Sequence, residues 1–160
     1  MICDNSTIFQ YGGRVCDTFM VIKAAVNYIS ADGYMRLLCL SIDSKNICVY
    51  LENLSEFVFD EAEVQSVKIG DILKLKFALE CVLDIEIQDE CCIETGLIQP
   101  NKNSSTAEIK GVVTKVNSLD SIVVKIDEHN EIEVEFERDI KVRLGEYVKI
   151  IGSLSAEIIE

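Results

Sequence analysis

A chain of 160 residues allows one ordinary domain or two very small ones, and its 49% apolar content supplies a packed core and excludes wholesale disorder. With 15 Lys and Arg against 28 Asp and Glu, the net charge of −13 repels phosphates and anionic membrane at long range and favours encounter with basic partners. No apolar run approaches the ~20 residues of a membrane span, so the chain reads as a soluble protein, and acidity of this kind also serves solubility.

Residues 1–20 form an N-terminal segment, and their start, MICDNSTIFQYGGRVCD, lacks the basic stretch and apolar run of a secretory signal. A cytoplasmic location is therefore expected. From Ile22 to Leu51 apolar runs are broken by turn residues at Asp32-Gly33 and Ser44 to Asn46. The stretch Glu52 to Ser66 looks like an insertion: Asn53 followed by Glu56 resembles a capping box, and Glu61 and Glu63 favour a helical turn, so a short helix is predicted there. The segment Val67 to Ile87 holds a turn at Gly70 and then another alternating apolar run.

The polar stretch GLIQPNKNSST at 96–106 holds the single proline, Pro100, and reads as a short linker. It divides the chain into a first β-barrel repeat at 21–95 and a second at 107–160. In the second half Ile122, Val124 and Ile126 alternate with Val123 and Lys125. Likewise Ile132, Val134 and Phe136 alternate with Glu131, Glu133, Glu135 and Glu137, the period of two that belongs to strands.

The two halves are alike in the order of their elements. VKIGDILKLKF from Val67 aligns with VRLGEYVKIIG from Val142, and Ile22 to Leu51 aligns with Ile109 to Phe136. Five short strands are predicted in each half, with Gly70, Gly145 and Gly152 at turns. The inward faces are Leu38, Leu40, Val49, Leu51, Leu73 and Leu75 in the first half, and Val124, Ile126, Val134, Phe136, Val148 and Ile150 in the second.

Seven cysteines with no CxxC spacing suit a reducing compartment; Cys39, Cys48 and Cys81 sit in apolar runs where a thiol acts as a small buried hydrophobe. The adjacent Cys91 and Cys92 read as loop residues. With His129 the single histidine, a tetrahedral zinc site is not expected, and neither metal nor cofactor is assigned. Catalysis is not expected either: no Walker loop, GxSxG, HExxH or Rossmann glycine pattern occurs, and His129 lies in the hairpin turn EHNE.

Strands at this spacing, with a Gly turn before the fourth and a helix between the third and fourth, resemble the OB-fold. The second half is similar in pattern to minimal OB or SH3-like barrels that lack the helix. The resemblance covers both halves and implies an all-β architecture of two tandem five-stranded barrels. It also implies single-stranded nucleic acid, or a complex that handles it, as a partner. The residues weigh against direct binding, which needs a basic groove with stacking aromatics. Lys74, Lys76, Tyr28, Tyr34 and Tyr50 in the first half, and Lys110, Lys115, Lys125, Lys149, Tyr147 and Phe136 in the second, are set among more numerous acids.

The strongest local feature is the acidic ladder. Alternation places Glu131, Glu133, Glu135 and Glu137 on one strand face at about 7 Å spacing, with Lys125 on the neighbouring strand to relieve part of the repulsion. A solvated face is the plain reading. The sharper one is that this row, with Asp60, Glu61 and Glu63 of the insertion, presents a negative surface to a basic protein. The expected function is thus a non-enzymatic acidic binding protein, such as an immunity protein that covers the phosphate site of a nuclease-like toxin with carboxylates. The alternatives are an OB-fold accessory subunit of a nucleic-acid-processing complex and a module that oligomerises through strand edges.

Overall fold

The computed structural model describes residues 21–159 except 43, 53–55, 60–65 and 90–93. Regular structure among them is all β: β1 (Val21–Asp32), β2 (Met35–Ile42), β3 (Lys45–Glu52), β4 (Ile72–Gln88), β5 (Gly96–Ile98), β6 (Thr106–Ser118), β7 (Ser121–Lys125), β8 (Glu131–Glu135) and β9 (Tyr147–Ile158). No helix among these residues is long and apolar enough to cross a membrane. The helix expected within 52–66 falls largely outside the described residues, as do Asp60, Glu61, Glu63, Cys91 and Cys92.

The strands join one sheet in the order β1-β2-β3-β9-β4-β8-β7-β6-β5, with further pairings β1–β4 and β9–β6. Its centre is the antiparallel pair β4–β9, which runs from Leu75↔Ile158 to Gln88↔Tyr147. β1 lies against the first part of β4, and β6 against the first part of β9. Two short parallel contacts complete the pairings: Tyr50↔Ser155 and Leu51↔Ala156 between β3 and β9, and Ala78↔Glu133 and Leu79↔Val134 between β4 and β8. The stretch read as a linker contributes β5, paired with β6, and Gln99, whose amide accepts from Cys48 N at 2.7 Å and donates to Cys48 O at 2.6 Å.

Among the described residues each half contributes four strands rather than the five short ones expected, and β4 and β9 are long. Cys81, in the left-handed region at φ 48, sits in a bulge between Glu80 and Asp84 that absorbs extra residues, so β4 runs through it as one strand of 17 residues rather than as a short one. Gly152 is no turn residue but a buried position within β9. A Cβ there would lie 2.7 Å from the Glu80 carbonyl oxygen, so the missing side chain is what admits β4.

The turns at Gly70 and Gly145 match the reading from sequence. Gly70 N donates to Val26 O and Val26 N to Asp71 O, while Gly145 N donates to Val113 O and Val113 N to Glu146 O. In each turn the acid after glycine folds back onto a backbone N–H: Asp71 accepts from Lys68 N at 2.8 Å and Glu146 from Arg143 N at 2.6 Å. Both glycines have positive φ, 96° and 87°, which a side chain would resist.

One hydrophobic cluster runs through both halves and contains Leu38, Leu40, Val49, Leu51 and Leu75 together with Val124, Ile126, Val134, Phe136, Val148 and Ile150. Leu73 is only partly buried against it. The cysteine reading needs two corrections. Cys39 and Cys48 are buried as expected but form a disulfide, because the β2–β3 register sets them directly opposite with Cα atoms 4.1 Å apart. Cys81, expected to be buried, is turned to solvent by the bulge and is the free cysteine among the described residues.

Two substitutions test this packing in urea or guanidinium denaturation. Phe136→Ala is expected to lose about 3–5 kcal/mol through lost burial and a cavity. Gly152→Ala should lose about 1–3 kcal/mol, because backbone of β4 must move to admit one methyl. A neutral Gly152→Ala would contradict the close approach of β4 and β9.

Candidate binding groove

On β8 the apolar Ile132 and Val134 point into the core, which leaves Glu131, Glu133 and Glu135 on the other face. Glu131 stands opposite Lys125, Glu133 opposite Val123 and Glu135 opposite Ser121. Beyond that contact β8 diverges from β4, as β3 does from β9, and the strands that diverge wall a groove of about 330 Å³.

Small residues make its floor. Ala78, Ser153, Ser155 and Ala156 lie on β4 and β9, with Ala78 paired to Ser155. Around them stand five carboxylates, those of Glu52, Glu80, Glu133, Glu135 and Glu157, against a single cation, Lys76, which is paired in register with Glu157. Met35, Tyr50 and Cys81 complete the lining.

The electrostatics are those of a site short of positive charge. Removal from water, then the neighbouring charges of Glu133, Glu80 and Asp120, push the Glu135 carboxyl above its ordinary range. Two of the other lysines considered as nucleic-acid contacts are drawn to acids elsewhere: Lys149 lies 3.5 Å from Glu86 and 3.7 Å from Glu108, and Lys110 is 3.9 Å from Glu108. Glu56, by contrast, is well supplied with donors. The Ser66 backbone N–H holds its carboxyl below the ordinary range against some desolvation, aided by the Arg36 guanidinium at 3.2 Å.

Of the residues singled out from sequence, Glu133 and Glu135 enter the groove. Glu131 lies on the same face without lining it, and Glu137 is an exposed residue past the end of β8. Glu52, Glu80, Glu157, Lys76 and Tyr50 were not singled out as one site, because they come from β3, β4 and β9 and meet only through the sheet order. The alternation of small residues with larger ones in FALE and SLSA was the local sign of a floor. His129 is an exposed turn residue whose N–H, like that of Asn130, donates to Asp127 Oδ1 at 2.8 Å. Among the described residues no group of three or more His, Cys, Asp or Glu is placed to hold a metal ion.

No protein-family model matches the chain, and no curated protein matches it. Among solved structures it is similar to the cytoplasmic molybdate-binding protein ModG in a molybdate-bound crystal form. That likeness has 11% identity and a TM-score of 0.45, over 85% of this chain and 94% of the other. At that level it transfers neither ligand nor partner.

The raised Glu135 carboxyl has a signed consequence. Between the ordinary value of 4.5 and its higher folded value, the native state binds more proton than the unfolded one, so stability falls as pH rises through that window. Glu135→Gln removes this contribution. The stability of the variant relative to wild type should therefore rise from pH 4 towards neutrality, as read by denaturation midpoints across that range. A difference independent of pH would contradict the desolvation of Glu135 and its crowding by Glu133, Glu80 and Asp120.

Proposed function

We propose that this chain is a non-enzymatic binding protein whose groove receives a cationic segment of a macromolecular partner. The observation that carries the reading is the groove itself: five carboxylates face one lysine over a floor of small side chains. A guanidinium or ammonium group entering it would gain charge-assisted hydrogen bonds and relieve the mutual repulsion of Glu80, Glu133 and Glu135. The chain's negative field would speed the encounter. An inhibitor that covers the phosphate site of a nuclease-like toxin is one protein of this kind.

We read the sheet, in the same proposal, as two barrel-like lobes that exchange their last strands. What supports this is the course of the pairings. β1–β2–β3–β9–β4 returns to β1 in one circuit, and β6–β7–β8–β4–β9 returns to β6 in the other. The separation of 75 between Gly70 and Gly145 also separates Leu79 and Leu154, which are paired with each other at the middle of the β4–β9 seam. The groove would then lie between the lobes, where a partner touches both.

The test is fluorescence anisotropy with labelled Lys- and Arg-containing peptides at low salt. Glu133→Gln with Glu135→Gln should weaken binding by about 10-fold, and wild-type affinity should fall steeply as salt is added. Glu128→Gln with Asp139→Asn, which removes as much charge from exposed positions outside the groove, should change it by less than about 2-fold. Equal losses in the two variants would overturn the groove as the site. Tighter binding of single-stranded DNA than of the peptides would favour the nucleic-acid alternative.

A further inference from the structure

Beside the groove, the β1–β2 turn and the stretch that follows β3 carry an exposed ledge of aromatic rings. Gly33 and Val58 exchange two backbone hydrogen bonds, Gly33 N to Val58 O at 3.1 Å and Val58 N to Gly33 O at 2.9 Å. Val58 is buried, and alternation turns Phe57 and Phe59 outward on either side of it. Phe57 and Tyr34 meet edge to face at 5.0 Å, and Phe57 and Phe59 at 4.7 Å. The three rings are 43%, 46% and 88% exposed for Tyr34, Phe57 and Phe59.

The ledge is held from beneath. Arg36 is fully buried, and its guanidinium donates to Gly33 O at 2.8 Å, Met35 O at 3.2 Å and Glu56 O at 2.9 Å, so both backbone segments that carry the rings are tied to one side chain. Glu56 in turn accepts from Ser66 N and Ser66 Oγ. The Phe57 ring lies over Gly33, where an added Cβ would meet it at 3.2 Å. These rings are therefore positioned before any ligand arrives. Met35, next in sequence to Tyr34, lines the groove, and it pairs in register with Glu52, one of the groove's carboxylates.

We propose that the Tyr34–Phe57–Phe59 ledge docks an arginine-bearing segment whose other cationic side chains enter the groove. The occupant follows from charge and shape together. A second copy of this chain, at −13, a nucleic acid and an anionic membrane are all repelled by the acids beside the rings. A cation is attracted both by those acids and by the ring faces, and a planar, weakly hydrated guanidinium stacks on rings where an ammonium stays hydrated. The ledge thus adds a preference for arginine over lysine to a groove that would accept either. The inference rests on the groove reading but has its own test.

Two labelled peptides of equal length and charge, one alternating Arg with Gly and the other Lys with Gly, are titrated by anisotropy against the full chain. The Arg peptide is expected to bind about 5-fold tighter or more. Tyr34→Leu, Phe57→Leu and Phe59→Leu combined should bring it to the level of the Lys peptide, and leave Lys binding within about 2-fold. Phe59→Leu alone alters the most exposed ring and should lower the ratio in a protein of unchanged denaturation midpoint, so the test does not depend on the triple variant folding. Equal binding of the two peptides by wild type, or a ratio that survives the ring substitutions, overturns the ledge while leaving the groove intact. Failure of both peptides to bind overturns the groove and the ledge together.

Discussion

The fold depends on one antiparallel seam. β4 is the last long strand of the first half and β9 the last strand of the second, yet they are paired from Leu75↔Ile158 to Gln88↔Tyr147, and the neighbours of each are drawn from both halves. A half of this size would bury too little surface to be secure alone. The seam offsets that by carrying one apolar cluster across both: Leu75, Phe77 and Leu79 on β4 pack into the cluster that holds Val148, Ile150 and Leu154 on β9. The approach is close enough that Gly152 has no room for a side chain.

The groove is a by-product of that arrangement. Strands that pair for only two residues, as β3 does with β9 and β8 with β4, must part company with the seam on either side of the contact. Twist widens the gap, and small side chains on the floor leave it unfilled. The walls are then decorated by whatever faces away from the core on five different strands. Glutamates at five of those positions raise the cost of the folded state, as the displaced Glu135 carboxyl records. A solvated face gains nothing from gathering its charge into a concavity, whereas a site for cations does.

What was legible in the sequence was whatever repeats locally. The alternation in EIEVEF placed Ile132, Val134 and Phe136 inside and the glutamates outside, and the Val-basic-aliphatic-Gly-acid turns placed Gly70 and Gly145 in like settings. Long-range register was not legible. Cys39 and Cys48 become partners only through the hairpin register, and a residue of that type in an apolar run looks the same whether paired or free. The continuity of β9 through Gly152 was hidden for a related reason, since a close approach uses the same residue that elsewhere ends a strand. For the groove, one wall could be read from β8. The other came from Glu52, Glu80 and Glu157, which no sequence spacing associates.

Glu56 and Glu135 show how one residue type meets opposite surroundings within one chain. Glu56 is met by N–H and O–H donors from Ser66 and by the Arg36 guanidinium, and its carboxyl is shifted down; its charge is spent within the fold, tying the residues around Phe57 to the β2 strand. Glu135 is shifted up by removal from water and by the charges of Glu133, Glu80 and Asp120. The difference lies in the local count of donors and not in exposure alone. A buried arginine next to a groove lacking positive charge fits the same division: Arg36 is consumed by backbone carbonyls and Glu56, and the groove retains Lys76 against five carboxylates. An arginine supplied by a partner would bring to the groove the donors that Arg36 brings to Glu56.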